Sequence, residues 1–277
     1  MPAESNAKKK PTASSRGLLN VSEGSYIEST SRPLYALLFL LPWIVIYELG
    51  TLWVNTEQVG QILTRKCVIA FIWLTKLAQW MQLQPRLVWL FPGFVVVVIL
   101  LCWHIATGRS WRVRFKWLGG MAVESVLFAV PLMFINAAIG SSTRAGAFAA
   151  VFDNPTVQAY LDYIVTGIGA GIYEELVFRL ILVGLLLVIL EDLIKLKTHL
   201  AVIIAVTISA VLFAAHHYFG FVNGHLAIFQ HEPFTMSGFL FRTAAGVYFA
   251  ILFHYRGFGI TAGAHAAYDI ILKTLWS

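Results

Sequence analysis

Seven apolar stretches of twenty residues or more, carrying few charges, restrict this chain more than any other feature of its sequence. An α-helix rises about 1.5 Å per residue and the hydrocarbon core of a bilayer is about 30 Å thick, so each stretch has the length that crosses it. The stretches run at 33–54, 86–107, 118–140, 157–190, 198–219, 236–255 and 257–276. Composition agrees: of 277 residues, 58% are hydrophobic and 12% charged, about half the charge that coats a soluble domain. A soluble fold, a coiled coil and a disordered chain are excluded together. Two cysteines, Cys67 and Cys102, are too few for a disulfide framework or a cysteine-rich metal site. The fold class expected is all-α, a polytopic integral membrane bundle of seven to eight transmembrane helices. The eighth would be Cys67 to Leu83, which Lys76 and Gln79 interrupt; it reads as a short span or as a helix lying in the interface.

Residues 1–33 are polar, with Lys8, Lys9 and Lys10 in a row, and read as a disordered tail. Residues 34–156 hold the first transmembrane helices and an interfacial basic-aromatic segment, and 157–277 a second group that carries the chemistry. The first apolar run is longer than a signal-peptide core and no small-residue cleavage pattern follows it, so it is expected to stay as an anchor. Lys and Arg gather in cytoplasmic loops. If Cys67 to Leu83 does not cross, one side holds the tail, Arg109, Arg112, Arg114, Lys116, Lys195, Lys197 and Arg256, a clear asymmetry that disappears if it does cross. The reading is therefore seven spans, one interfacial helix and a cytoplasmic N-terminus. The net charge of +6 does not point to nucleic acid, because the basic residues sit in termini and loops. Trp111, Phe115 and Trp117 beside arginines suit the headgroup layer, so the bilayer itself is the expected partner.

An ionisable side chain at the centre of a bilayer costs about 2.5–3.5 kcal/mol even on the mild insertion scale, which makes each one a candidate for function. The first half offers little beyond Glu48, Lys76, His104 and Glu124, whereas the second has Glu174, Glu175, Arg179, His216, His217, Arg242, His265 and Asp269. Residues four apart share a helix face, so Glu175 and Arg179 can pair while Glu174 points elsewhere and stays free. A free carboxylate in a low-dielectric cavity suits a general base that activates water. His216 and His217, at the end of the next span, can pass a proton or bind a metal; an interfacial role is the plainer reading. His265 and Asp269 are also four apart, so the carboxylate can take one ring N–H and leave the other nitrogen aimed into a cavity. Either pair can equally be a structural one. Gly167, Gly169 and Gly171 make a small-residue face suited to close helix packing. No soluble zinc-protease, phosphate-loop or serine-elbow motif competes, and nothing in the sequence calls for a cofactor.

Glu174-Glu175-x-x-x-Arg179, then Phe213 with His216 and His217, then His265-x-x-x-Asp269, resembles the CAAX protease and bacteriocin-processing family of intramembrane endopeptidases, whose motifs run EExxxR, FxxxH and HxxxN or HxxxD in this order. The resemblance covers about residues 157–276. It implies that Glu174 is the catalytic glutamate activating a water on the scissile carbonyl, supported by Glu175 and Arg179. It further implies that His265 and Asp269 stabilise the oxyanion; where relatives carry Asn, Asp269 is a poor donor and His265 the better one. Phe213 with His217 matches the FxxxH spacing, whereas the Ala-Ala-His pattern favours His216, and both stay open. Arg242-Thr-Ala-Ala-Gly246 and the run from Arg256 to His265 resemble bacterial members, which implies a bacterial inner membrane. Arg242 is a candidate for a substrate carboxylate or a partner for a buried acid. The substrate implied is a membrane protein or peptide, lipid-modified or sorted to the surface.

Two other classes remain open on the residues alone. Glu174, His216 or His217, His265 and Asp269 are also plausible zinc ligands, which would make a metalloprotease. Intramembrane acids also serve proton-relaying transporters, and the same segments would suit an immunity or scaffold protein with no enzymatic role.

Overall fold

A computed structural model describes residues 24–54, 68–139, 157–222, 225–228 and 234–275. The expected tail over 1–33 lies outside the described residues up to 23, but its end is ordered: helix α1, Tyr26–Thr30, is capped by the Ser25 hydroxyl accepting from the Glu28 N–H. Helix α2 follows at Pro33–Val54, α3 at Ile69–Trp80, α4 at Pro85–Thr107 and α5 at Lys116–Ile139. Helix α6 begins as an ordinary helix over Val157–Gly169. It continues through π-helical turns at Ala170–Glu174, Leu176–Val183 and Val188–Leu193. Helix α7 is Thr198–His216, and Phe219–Val222 (β1) pairs antiparallel with His225–Ile228 (β2) in a small hairpin. The helical stretch Met236–Leu275 is bent at Gly257 into α8 (236–256) and α9 (258–275).

The architecture is a helical membrane bundle. Among the described residues, five helices are long and apolar enough to cross a membrane, the last of them being the bent stretch that α8 and α9 share. The bend falls where the sequence separates the last two apolar runs. Helix α3 has twelve residues, about 18 Å, too short to cross. It packs instead on α4 and on the first π turn of α6, and among the described residues it is not one of the helices long and apolar enough to cross. The hairpin was not anticipated; it takes the backbone from the end of α7, which stops at His216 rather than at 219.

Helices hold their backbone polar groups in lipid by themselves, so packing is decided by side-chain size. Gly171 is where α6 meets α9: a Cβ there would lie 2.3 Å from the Ala262 carbonyl, so only glycine permits that approach. The main core gathers Tyr35, Phe39, Tyr47, Phe71 and Tyr173 with the apolar face of α9. A second cluster joins α5 to α8 and α9 through Ala129, Leu132, Phe249 and Tyr268.

The α8–α9 bend is held by one residue. The Arg256 guanidinium donates to both carboxylate oxygens of Glu124 on α5, to the Ile27 carbonyl and to the hydroxyls of Ser31 and Thr30. The Tyr26 hydroxyl donates to the same Glu124 at 2.8 Å. Gly257 itself takes φ 75° and ψ 177°, a conformation open essentially to glycine alone.

Candidate active site

Helices α6, α7, α8 and α9 bring the polar residues of the second half to one place. Glu174 and Glu175 sit at the join of the first two π turns of α6, and such turns widen a helix and are frequent at functional sites. Glu175 Oε2 lies 3.0 Å from Arg179 Nε, and both side chains are wholly buried. Desolvating such a pair is costly and its attraction offsets that cost only when the remaining polar atoms are met as well. Here Arg179 also donates to the Gly246 carbonyl at 3.4 Å and lies 4.1 Å over the Phe213 ring.

The second oxygen of Glu175 binds outside its own helix. Glu175 Oε1 is 2.7 Å from His265 Nδ1 on α9. This corrects the expectation that Asp269 orients His265: Asp269 lies instead 3.9 Å from Lys273, on the partly exposed side of α9. The reason is distance in space rather than in sequence. A carboxylate four residues along the same helix is outcompeted by one from the facing helix that reaches the ring nitrogen directly. Phe249 stacks on His265 at 4.5 Å and 21°, which fixes the ring plane.

Glu174 points into the space that these groups enclose. Its Oε1 is 3.4 Å from His216 Nε2 and its Oε2 is 3.9 Å from His265 Nε2. Glu174 Oε2 and His216 Nε2 are buried with no hydrogen-bond partner in the protein. His216 and His217 both turn Nδ1 to the Phe213 carbonyl, His217 at 3.0 Å; protonated there, each leaves Nε2 as a free lone pair. His216 is buried, against Phe178 at 4.7 Å and Trp73 of α3 at 6.1 Å. The short helix α3 therefore walls the site.

The same geometry defines what could hold a metal. One ligand atom each from Glu174, His216 and His217 lie within 4.8 Å of one another. Arg242 lies beside the hairpin, where its Nη1 donates to the Tyr218 hydroxyl at 2.5 Å.

Phe213 and Phe249 were not singled out as site residues on their own account. An aromatic inside an apolar run looks like lipid-facing bulk, and its contact with a histidine exists only after α7, α8 and α9 pack. The π turns leave no trace in the spacing.

Residues 156–271 match the family model described as type II CAAX prenyl endopeptidase Rce1-like. Over this part of the chain the match supports the CAAX protease family. The match begins one residue before α6 and ends inside α9, so it takes in all four helices that build the site. The similarity supports a CAAX-type endopeptidase in general, and together with the spanning helices it supports an integral, multi-pass membrane protein. No curated protein matches the chain, and no solved structure matches it.

Proposed function

We propose that the protein is a glutamate-dependent intramembrane endopeptidase in which Glu174 is the general base. The observation that carries this reading is the convergence on Glu174 of His216 Nε2 at 3.4 Å and His265 Nε2 at 3.9 Å, in a site where one Glu174 oxygen has no protein partner. A water taken up between these groups gives a proton to Glu174 as its oxygen bonds to the scissile carbonyl carbon. The tetrahedral intermediate then collapses, the C–N bond breaks, and Glu174 returns the proton to the departing amine. A carboxylate positioned in this way contributes typically 10²- to 10⁴-fold.

His216 shares and orients the water proton. His265, protonated on both nitrogens, donates Nδ1–H to Glu175 and presents Nε2–H to the oxygen on which charge develops, where a fixed donor is worth most. Glu175 and Arg179 hold that imidazole in place. Asp269 acts on His265 only from a distance. The chemical domain is 157–277, with 34–156 supplying walls, and the substrate is a membrane-associated protein or peptide, lipid-modified or sorted to the surface.

Glu174→Gln is the test. It keeps shape and hydrogen-bonding capacity but removes the base, so cleavage of the substrate missing from the processed proteome of a deletion strain falls at least about a hundredfold while the protein still folds. Normal cleavage by this variant ends the reading.

A second reading is favoured by one observation, the cluster of Glu174, His216 and His217, whose three ligand atoms fit a zinc ion. Stoichiometric zinc in active preparations, with activity lost to a strong chelator, would favour it; activity retained in chelator rejects it.

The chain sits in a bacterial inner membrane with its N-terminus and basic loops in the cytoplasm. That reading rests on the gathering of α1, Arg109, Arg112, Arg114, Lys116 and Arg256 at one end of the bundle. The site then opens at the far end. A cysteine placed in the 220–233 loop is labelled from outside intact cells; labelling only after the cytoplasm is opened reverses the orientation.

A further inference from the structure

A cavity of about 240 Å³ lies on the other side of the helices that carry the acids, between α2, α5, α6 and α9. Its floor is fully buried and includes Phe39, Ile168, Ile172 and Ala262; its rim, with Trp43 and Val126, is partly exposed, Val126 to 48%. On a helix Ile172 projects about 200° from Glu174, so the two face opposite ways. We propose that this cavity binds the acyl chain of a bilayer phospholipid, held as a fixed part of the folded enzyme.

Three features argue for that occupant. First, the lining is hydrocarbon apart from the Ser125 hydroxyl, which is buried without a partner. A peptide would bring backbone groups that one hydroxyl cannot satisfy. Second, the rim belongs to α2, α5 and α9, all among the helices apolar enough to span the membrane, so the mouth meets lipid chains rather than water. The volume exceeds the roughly 150 Å³ apolar cavity that takes up benzene, and unfilled space of that size forfeits contacts on every side. Third, Glu174 is not among the residues that line the cavity. Between them Gly171 lies against Ala262 with no room for a Cβ. A chain seated here is not one being presented for cleavage, which separates it from the lipid of any lipidated substrate.

The occupant backs the wall that sets the site. Ile172 is two residues from Glu174, and Gly263, which also lines the cavity, is two from His265. The chain thus fixes the spacing of α6 and α9 from behind.

The test is lipid retention by the full chain, measured by native mass spectrometry with dioleoyl phosphatidylglycerol as the probe. One lipid is retained per protein after delipidation and titration. Ala267→Phe, which fills the cavity, and Val126→Trp, which closes its mouth, each lower retention about tenfold or more; two sites keep the result readable should one variant fail to fold. In nanodiscs containing phospholipid brominated on its chains, the emission lost on Trp43→Phe is strongly quenched. Equal retention by wild type and both variants overturns the proposal, and so does a Trp43 that brominated chains do not quench. Displacement of the lipid by a lipidated peptide overturns it in favour of a substrate site. Glu174→Gln leaves the cavity intact and retains lipid like wild type, so the outcome is independent of the hydrolytic reading.

Discussion

At the scale of single residues, the side chains of the site differ in how many of their polar atoms have a partner. Glu175 spends both oxygens, on Arg179 and on His265, whereas Glu174 keeps one oxygen without a protein partner. The two adjacent acids therefore differ by what surrounds them, not by their own chemistry. The two adjacent histidines differ in the same way. His216 Nε2 is 3.4 Å from Glu174 and its ring is wedged between Phe178 and Trp73, while His217 is less buried and joins the site through the shared Phe213 carbonyl, the neighbouring ring and a ligand atom within 4.8 Å of those of Glu174 and His216. The geometry thus favours His216 where the spacing left both open. His216→Ala is expected to lower kcat by about a hundredfold or more and His217→Ala by less than about tenfold, within the usual range for a general acid–base partner. Steady-state kinetics on a cleavable peptide reads both, and a reversed order would transfer the role to His217.

At the scale of elements, the π turns of α6 and the bend between α8 and α9 set the site. The π turns of α6 place Glu174 and Glu175 in successive irregular turns, and Gly171 lets α9 approach closely enough for His265 to bond to Glu175. The bend at Gly257 starts α9 in the required direction, and Arg256 ties that bend to Glu124 and α1. Gly257→Ala puts a Cβ 2.7 Å from the Ser31 carbonyl and forces a conformation that side chains avoid. A loss of about 1–3 kcal/mol is expected, with lowered kcat per folded molecule. Thermal melting in detergent, compared with Gly184→Ala at a helical position where nothing crowds a Cβ, separates backbone strain from an ordinary helix substitution. A Gly257→Ala protein as stable as wild type would mean that the bend is not strained.

At the scale of the whole molecule, α1 closes one end of the bundle. Glu28 on α1 meets Arg32 at 2.6 Å and Arg109, from the α4–α5 connection, at 3.2 Å. Burial pushes its carboxyl up, but Arg32, the Gly24 N–H and Arg109 together hold it below its ordinary value. Because the folded value is the lower one, this stabilisation is complete above the unfolded carboxylate value of about 4.3 and fades as pH falls through the folded one. Glu28→Gln should flatten the acid side of the melting-temperature profile, by less than about 1 kcal/mol since the pair is partly exposed. Melts between about pH 3 and pH 6 measure it, and an unchanged acid limb removes Glu28 from the account. Much of this molecule is legible before folding. Apolar runs the length of a bilayer require helices whatever their neighbours do, so the class and the break near Gly257 follow from the chain itself. The i,i+4 pairing of Glu175 with Arg179 follows too, because one helix supplies both partners. What tertiary packing alone decided are the contacts between helices: Glu175 rather than Asp269 on His265, His216 Nε2 at 3.4 Å from Glu174, the close approach at Gly171 and the cavity behind it. Spacing along a helix tells which residues share a face; which face of another helix it meets depends on side-chain volume summed over the whole bundle.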